Sequence, residues 1–161
     1  MGPGMKDRDM SRSDADPLRE ILYRVLVRYL TVRPRGFELK RGERLHPVVE
    51  ARILGHGGAR TFYLDRKPMC RSLDGVRPVT GNTNRSCADC EARARCTAQV
   101  RLDLIVERQP FRLLLAYSSA RAFLVYEAEL RQRRVAIQDI VTKITVVNRG
   151  SWGELRFSAR D

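Results

Sequence analysis

All four cysteines of this 161-residue chain fall between Cys70 and Cys96, in the run CRSLDGVRPVTGNTNRSCADCEARARC, spaced C-x16-C-x2-C-x5-C. Thiols collected this tightly in sequence are being collected in space, and the rest of the fold must be arranged around them. Four thiolates within tetrahedral reach suit one Zn²⁺ in a closed structural site with no open coordination position. The Cys87-x2-Cys90 pair is the most diagnostic part, because a short knuckle turn aims two sulfurs at one ion. Gly75, Pro78, Gly81, Asn82 and Asn84 are turn formers that let the chain return towards Cys70. Two disulfides, four unpaired thiols or an iron–sulfur cluster are the other uses of such a set. No signal peptide is expected from the N-terminal residues, which argues against the oxidising compartment that disulfides need. Both histidines, His46 and His56, lie outside the stretch. The expectation is therefore a structural zinc ion on Cys70, Cys87, Cys90 and Cys96.

Charge comes next, because it names the partner. The chain carries a net +12, and only four of its 31 basic residues are lysine. Arginine makes forked contacts to phosphate and stacks on bases, so a nucleic acid is the expected polyanion. A GC-rich coding sequence would explain arginine over lysine, but not the excess of positive over negative charge. No run of about 18 apolar residues exists, so no membrane partner is expected and a cytoplasmic location is.

Residues 1–15 are polar, aperiodic and nearly balanced in charge, and are expected to form a disordered arm. Asp16-Pro17 reads as an N-cap followed by proline at the first helical position. Leu18, Ile21, Leu22, Val25, Leu26, Tyr29 and Leu30 then form an apolar stripe at helical spacing, and Pro34 and Gly36 end it. An amphipathic helix is expected over 16–35, packing on the domain or supporting self-association or a protein partner through 17–32. Residues 36–161 are expected to form one domain, with 70–96 as its zinc loop. Between residues 33 and 71 there are ten basic residues against four acidic ones. Residues 48–54 and 61–64 read as short strands flanking a turn at Gly55-His56-Gly57-Gly58, which could approach phosphate but is more simply a hairpin tip.

Beyond the cysteines the pattern alternates. Residues 100–106 put Val100, Leu102, Leu104 and Val106 inward, with Arg101 and Asp103 outward. A turn at Gln109-Pro110 leads to residues 111–117, with Phe111, Leu113, Leu115 and Tyr117 on one side. Ser118-Ser119 offers an N-cap for a helix to about Arg133 that carries Phe123, Tyr126 and Leu130 on one face. Residues 140–147 and 152–158 are further strands, the last with Gly153, Leu155 and Phe157 inward and Trp152, Glu154, Arg156 and Ser158 outward. The order β-β-α-β-β after the early strands predicts a mainly β, α+β chain, a five-stranded OB-like barrel with its helix between the third and fourth strands. Trp152 beside Arg156 suits base stacking, although a lone tryptophan can equally cap the core. Lys143, Arg101 and Arg112 would extend a basic track. Arg35, Lys40, Arg41, Arg44, Arg60, Arg66, Lys67, Arg71 and Arg77 are the further candidate nucleic-acid contacts. Arg71, Arg77, Arg85, Arg93 and Arg95 also flank the thiolates, whose zinc complex carries a net negative charge.

The start Cys70-Arg-Ser-Leu-Asp74-Gly75, then Cys87-Ala-Asp-Cys90 and Cys96, followed by strand, Pro110, strand, Ser118-Ser119, helix and the Val141-Thr142-Lys143-Ile144-Thr145 strand, carries a resemblance. Over about residues 68–158 this pattern resembles a family of small phage and mobile-element proteins. The resemblance implies a cysteine-loop zinc site on an OB-like barrel, and a role in DNA replication or recombination through single-stranded DNA. It assigns zinc to the four cysteines and assigns no catalytic residue.

The expected function is thus non-enzymatic binding of single-stranded DNA, with RNA and duplex DNA as alternative targets. A basic zinc adaptor docking on a protein complex is the second expectation. A nuclease is the third: Asp65, Asp74, Asp89 and Glu91 lie near the cysteines, but without the paired-carboxylate or histidine spacing that metal-assisted cleavage uses.

Overall fold

A computed structural model describes residues 27–81 and 83–160, and these described residues run through ten strands and one α-helix. The strands are β1 (Arg28–Tyr29), β2 (Thr31–Arg33), β3 (Gly36–Glu38), β4 (Val48–Leu64), β5 (Lys67–Ser72), β6 (Pro78–Thr80), β7 (Thr97–Val106), β8 (Gln109–Ala116), β9 (Thr142–Asn148) and β10 (Gly153–Ala159). The helix α1 (Tyr117–Gln132) lies between β8 and β9. This is a mainly β chain with a helix, the α+β class.

Alternation builds the centre. Leu102 and Leu104 of β7 stand directly opposite Leu113 and Phe111 of β8, so one face of the hairpin is a continuous apolar surface. Phe123, Tyr126 and Leu130, one helical turn apart, bury that surface from above together with Ile53, Ile144 and Leu155. Phe123 meets His56 and Phe157 edge-on, at ring separations of 5.2 and 5.4 Å. Two polar contacts fix the helix in place. The Leu155 N–H donates to Ser119 Oγ at 3.0 Å, and the Tyr126 and Thr142 hydroxyls share a hydrogen bond of 3.0 Å. Burial pushes the Tyr126 phenol above its ordinary pKa, against the opposing pull of the Thr142 bond.

The long strand β4 organises the sheet. Its first part pairs with β9, most of its length pairs with β7, and its end pairs with β5. The β7, β8, α1, β9, β10 order is the β-β-α-β-β order expected from the sequence, whereas the two early strands expected at 48–54 and 61–64 are the single strand β4. Among the described residues no pairing joins β8 to β10, so the ladder does not close. The outer edge of β8 instead takes β1 in parallel, Arg28 opposite Phe111 and Tyr29 opposite Arg112.

Several expectations are corrected. The glycines at 55–58 are not a hairpin tip but the middle of β4, paired from Gly55↔Asp103 to Gly58↔Val100 beyond a bulge at Ile53/Gly55. The β7–β8 turn is Glu107-Arg108, both with left-handed φ of 49° and 66°, and Pro110 lies within β8. Tyr117 is not inward but 80 % exposed at the start of α1, and Ser119 serves β10 rather than capping the helix. Of the helix expected over 16–35, residues 16–26 lie outside the described residues. From Arg28 onward the chain is extended as β1 and β2, which ends the stripe at 17–32 as a single helical face.

The β2–β3 hairpin is pinned by a close backbone approach. A Cβ on Gly153 would lie 2.6 Å from the Arg33 carbonyl oxygen and from Val146 Cγ1. Gly153→Ala should therefore lower stability by about 1–3 kcal/mol, the usual cost of overpacking, read as a fall in the urea midpoint.

Candidate metal centre and its basic surroundings

The cysteine stretch is an excursion from a pair of neighbouring strands. Thr61 of β4 stands opposite Thr97 of β7, so the chain parts from β7 after Thr61 and rejoins it at the same rung, while β4 itself runs on to Leu64. It first doubles back as β5, through a turn at Asp65-Arg66 with φ of 49° and 65°, which sets Cys70 opposite Phe62. It then crosses β6 and folds back on itself. Gly81, at φ +82°, passes so close to Cys70 that a Cβ there would sit 2.8 Å from the Cys70 Cα. The Cys87 N–H donates to the Val76 carbonyl at 2.7 Å, closing the loop. The knuckle follows: Cys90 N–H to the Cys87 carbonyl at 3.5 Å, Arg93 N–H to Cys90 at 3.1 Å, and Cys96 N–H to Arg93 at 3.2 Å. A single 3₁₀ turn at Arg93–Arg95 carries the chain from Cys90 to Cys96.

This brings all four thiols to the wall of one cavity of about 20 Å³, with Arg60, Arg85 and Arg93 beside them. Such a volume holds one water-sized particle. None of the four is in a disulfide. Burial pushes the Cys96 thiol pKa up, and the neighbouring sulfurs of Cys90, Cys70 and Cys87 push it further, while Arg60 draws it down. Among the described residues no three cysteine, histidine or carboxylate side chains are drawn in close enough to grip an ion as they stand. The thiols border a common space without converging on a common point. His46 pairs with Phe37 and His56 packs on Phe123, and neither borders the cavity.

What holds the excursion together is not an apolar core. Among its described residues from Asp65 to Cys96, only Ser72 and Cys87 are buried. Polar contacts do some of the work. Asp74 Oδ1 accepts from the Val76 N–H at 2.7 Å, the Arg77 N–H at 2.9 Å and the Ser72 hydroxyl at 2.9 Å. The Arg77 and Val76 amides chiefly hold its carboxyl below the usual pKa. A depressed carboxylate contributes stability above its unfolded pKa and loses it as pH falls through the folded value. Asp74→Ala should therefore speed amide exchange at Val76 and Arg77 by roughly threefold to tenfold near neutral pH, and the difference from wild type should vanish once Asp74 is protonated.

Compared with protein-family models, with curated proteins and with solved structures, the chain matches none.

The candidate nucleic-acid residues fall into exposed and internally held groups. Arg35, Lys40, Arg41 and Arg44 are exposed on the β2–β3 hairpin and the loop after it, Lys40 lying 3.5 Å from Glu43. Arg66 and Lys67 are exposed at the β4–β5 tip, and Arg77 is exposed on the excursion with Arg85, Arg93 and Arg95. Lys143 is exposed on β9, and Trp152 is 46 % exposed in the β9–β10 turn. Arg60 is half-buried at the thiol cavity. The guanidinium of Arg71 lies over the Tyr29 ring at 4.7 Å, and that of Arg95 over Phe62 at 5.2 Å.

Arg101 and Arg112 do not form the expected open track with Lys143. Arg112 Nε donates to Asp103 Oδ1 at 3.0 Å, and Arg101 Nε lies 3.3 Å from Asp103 Oδ2. Arg101 Nη1 also donates to the Leu73 carbonyl, which ties the excursion down onto the sheet. Glu154, expected to face solvent, is buried beneath two arginines, Arg149 Nε at 3.0 Å and Arg156 Nη2 at 2.6 Å. Arg156 keeps an exposed side chain despite that pair. Sequence reasoning missed Asp103 as the hub. Its signal was the opposite-charge pair Asp103/Arg112, which only the β7–β8 register reveals.

Proposed function

We propose that this chain is a zinc-stabilised, non-enzymatic nucleic-acid-binding protein whose target is single-stranded DNA. The observation that carries the reading is the excursion itself: four thiols border one ion-sized space in a segment with almost no apolar core. A Zn²⁺ held by Cys70, Cys87, Cys90 and Cys96 would supply the missing cross-link and leave no coordination position for catalysis. A space of about 20 Å³ suits a single ion rather than an iron–sulfur cluster.

The net charge of +12 and the exposed arginines at 77, 85, 93 and 95 favour a polyanion on the same side as the cysteines. The strand order, with β4 pairing both β7 and β9 and a helix before the last hairpin, supports an OB-like platform. Trp152, Tyr63 and Tyr117 offer exposed rings on which bases can stack. Replication and recombination are the settings in which such a protein would meet its target.

The test is a competition. Metal-loaded protein bound to a labelled single strand is challenged with unlabelled single strand or duplex of the same sequence. The single strand should displace the label at the lower concentration. Absence of a complex, or better displacement by duplex, would overturn the reading.

One observation favours the adaptor reading as second. Leu64, Met69, Val76 and Val79 are all at least half exposed along β4 and the excursion, an apolar fringe unusual on so basic a surface. Among the described residues no helix is long and apolar enough to cross a membrane.

A further inference from the structure

Beside the last turns of α1 lies a second, roomier cavity of about 270 Å³, bordered also by β4 and the chain at 135–138. Its apolar wall is Leu130, Val135 and Ile137, and its polar wall is His56, Glu127 and Arg131. The volume falls just below the range of pockets for drug-sized ligands, and is enough for one ring system.

The polar wall is built rather than incidental. An ordinary glutamate–arginine pair one helical turn apart lies in open solvent, but the Glu127 side chain is only 13 % exposed. Its Oε1 accepts from Arg131 Nε at 2.6 Å and lies 3.5 Å from His56 Nε2. His56 is in turn fixed by the edge of Phe123. The result is a carboxylate, an acceptor only, set in position beside a flat ring over an apolar floor. Arg131, Arg133 and Arg134 stand exposed where the helix ends. That combination asks for a flat heterocycle with paired N–H donors and a phosphate behind it.

We propose that this cavity receives one unstacked nucleobase bearing an exocyclic amino group, guanine above the others. Guanine presents its ring N–H and amino group side by side, which one carboxylate can accept together, while thymine has no amino group to offer. The proposal rests on the reading of the chain as a single-strand binder, and it adds base preference to what would otherwise be a sequence-tolerant surface.

The experiment compares the affinity of the metal-loaded protein for oligo(dT) with that for the same strand carrying interspersed guanines. Wild type should prefer the guanine strand about tenfold, and Glu127→Gln should bring that ratio close to one. The ratio cancels the effect of the lost charge on phosphate attraction. Equal affinity in wild type, or an undiminished preference in Glu127→Gln, overturns the pocket. A second measurement is independent of strand binding: the His56 ring resonances are followed during titration with GMP and with TMP. A shift with GMP alone supports the pocket even if no strand binds, in which case the strand reading fails by itself. No shift with either, or equal shifts with both, sinks the pocket and leaves the strand reading standing.

Discussion

On the proposed zinc site, Cys87→Ser is expected to abolish metal retention and to open the chain between Leu73 and Cys96 to protease, while the β7–β8 hairpin and α1 stay folded. Cys87 is the buried member of the four, and its N–H closes the loop onto Val76. Ser72 is the only other buried described residue between Asp65 and Cys96, so no apolar burial can substitute for the lost ligand. Structural zinc contributes about 10–16 kcal/mol in small domains, and that free energy is folding free energy. Losing one of four sulfurs should cut zinc affinity by several orders of magnitude, measured by competition with a chromophoric chelator. Chelation of wild type should give the same protease pattern. A variant that keeps one zinc per chain, or an excursion as resistant as wild type, would contradict the account.

The second large effect lies in the core. Phe123→Ala should cost about 3–5 kcal/mol, out of a total stability of about 5–15 kcal/mol for a domain of ordinary size. Phe123 has no exposed surface and is the residue that the rings of His56 and Phe157 both meet. Its removal leaves a cavity exactly where helix, β4 and β10 come together, so the surroundings cannot collapse without moving β10. Leu124→Ala, next in sequence but half exposed, should stay within about 0.5 kcal/mol of wild type. Urea unfolding of the two variants checks the contrast. Similar midpoints would mean that α1 is not packed as described.

These two expectations differ in how far the sequence alone could support them. Phe123, Tyr126 and Leu130 were legible because a helix with one buried face must repeat its apolar residues every three or four positions. The inward set of β7 and β8 was legible for the matching reason, a period of two. The glycines at 55–58 were not, because residues that favour turns also occur inside strands, and here they pair with Asp103 to Val100 of β7. A Cβ would meet nothing within 4 Å at Gly55 or Gly58 and only Arg101 Nη2, at 3.4 Å, at Gly57, so crowding does not mark these positions either. The turn at Glu107-Arg108 was hidden because it uses left-handed backbone without the glycine or asparagine that usually announces it.

Tyr29 and Leu30 fitted a helical stripe equally well. Their extended conformation depends on the open edge of β8, which is set some eighty residues later in the chain. At the candidate site the spacing of the thiols was readable, since a knuckle turn is local. Of the arginines that border it, Arg85 and Arg93 were readable as sequence neighbours of the thiols, and Arg60 was not. Arg60 reaches the cavity from β4, and Arg101 is bound over to Leu73, both consequences of register rather than of neighbouring sequence.

The central claim is most directly tested by the affinity of the metal-loaded protein for labelled oligo(dT), measured by fluorescence anisotropy between about 50 and about 200 mM salt. The account predicts tight binding at the low end and a steep, log-linear loss as salt rises, because arginine–phosphate contacts release counterions. No binding at the lowest salt, or an affinity that salt does not change, would contradict it.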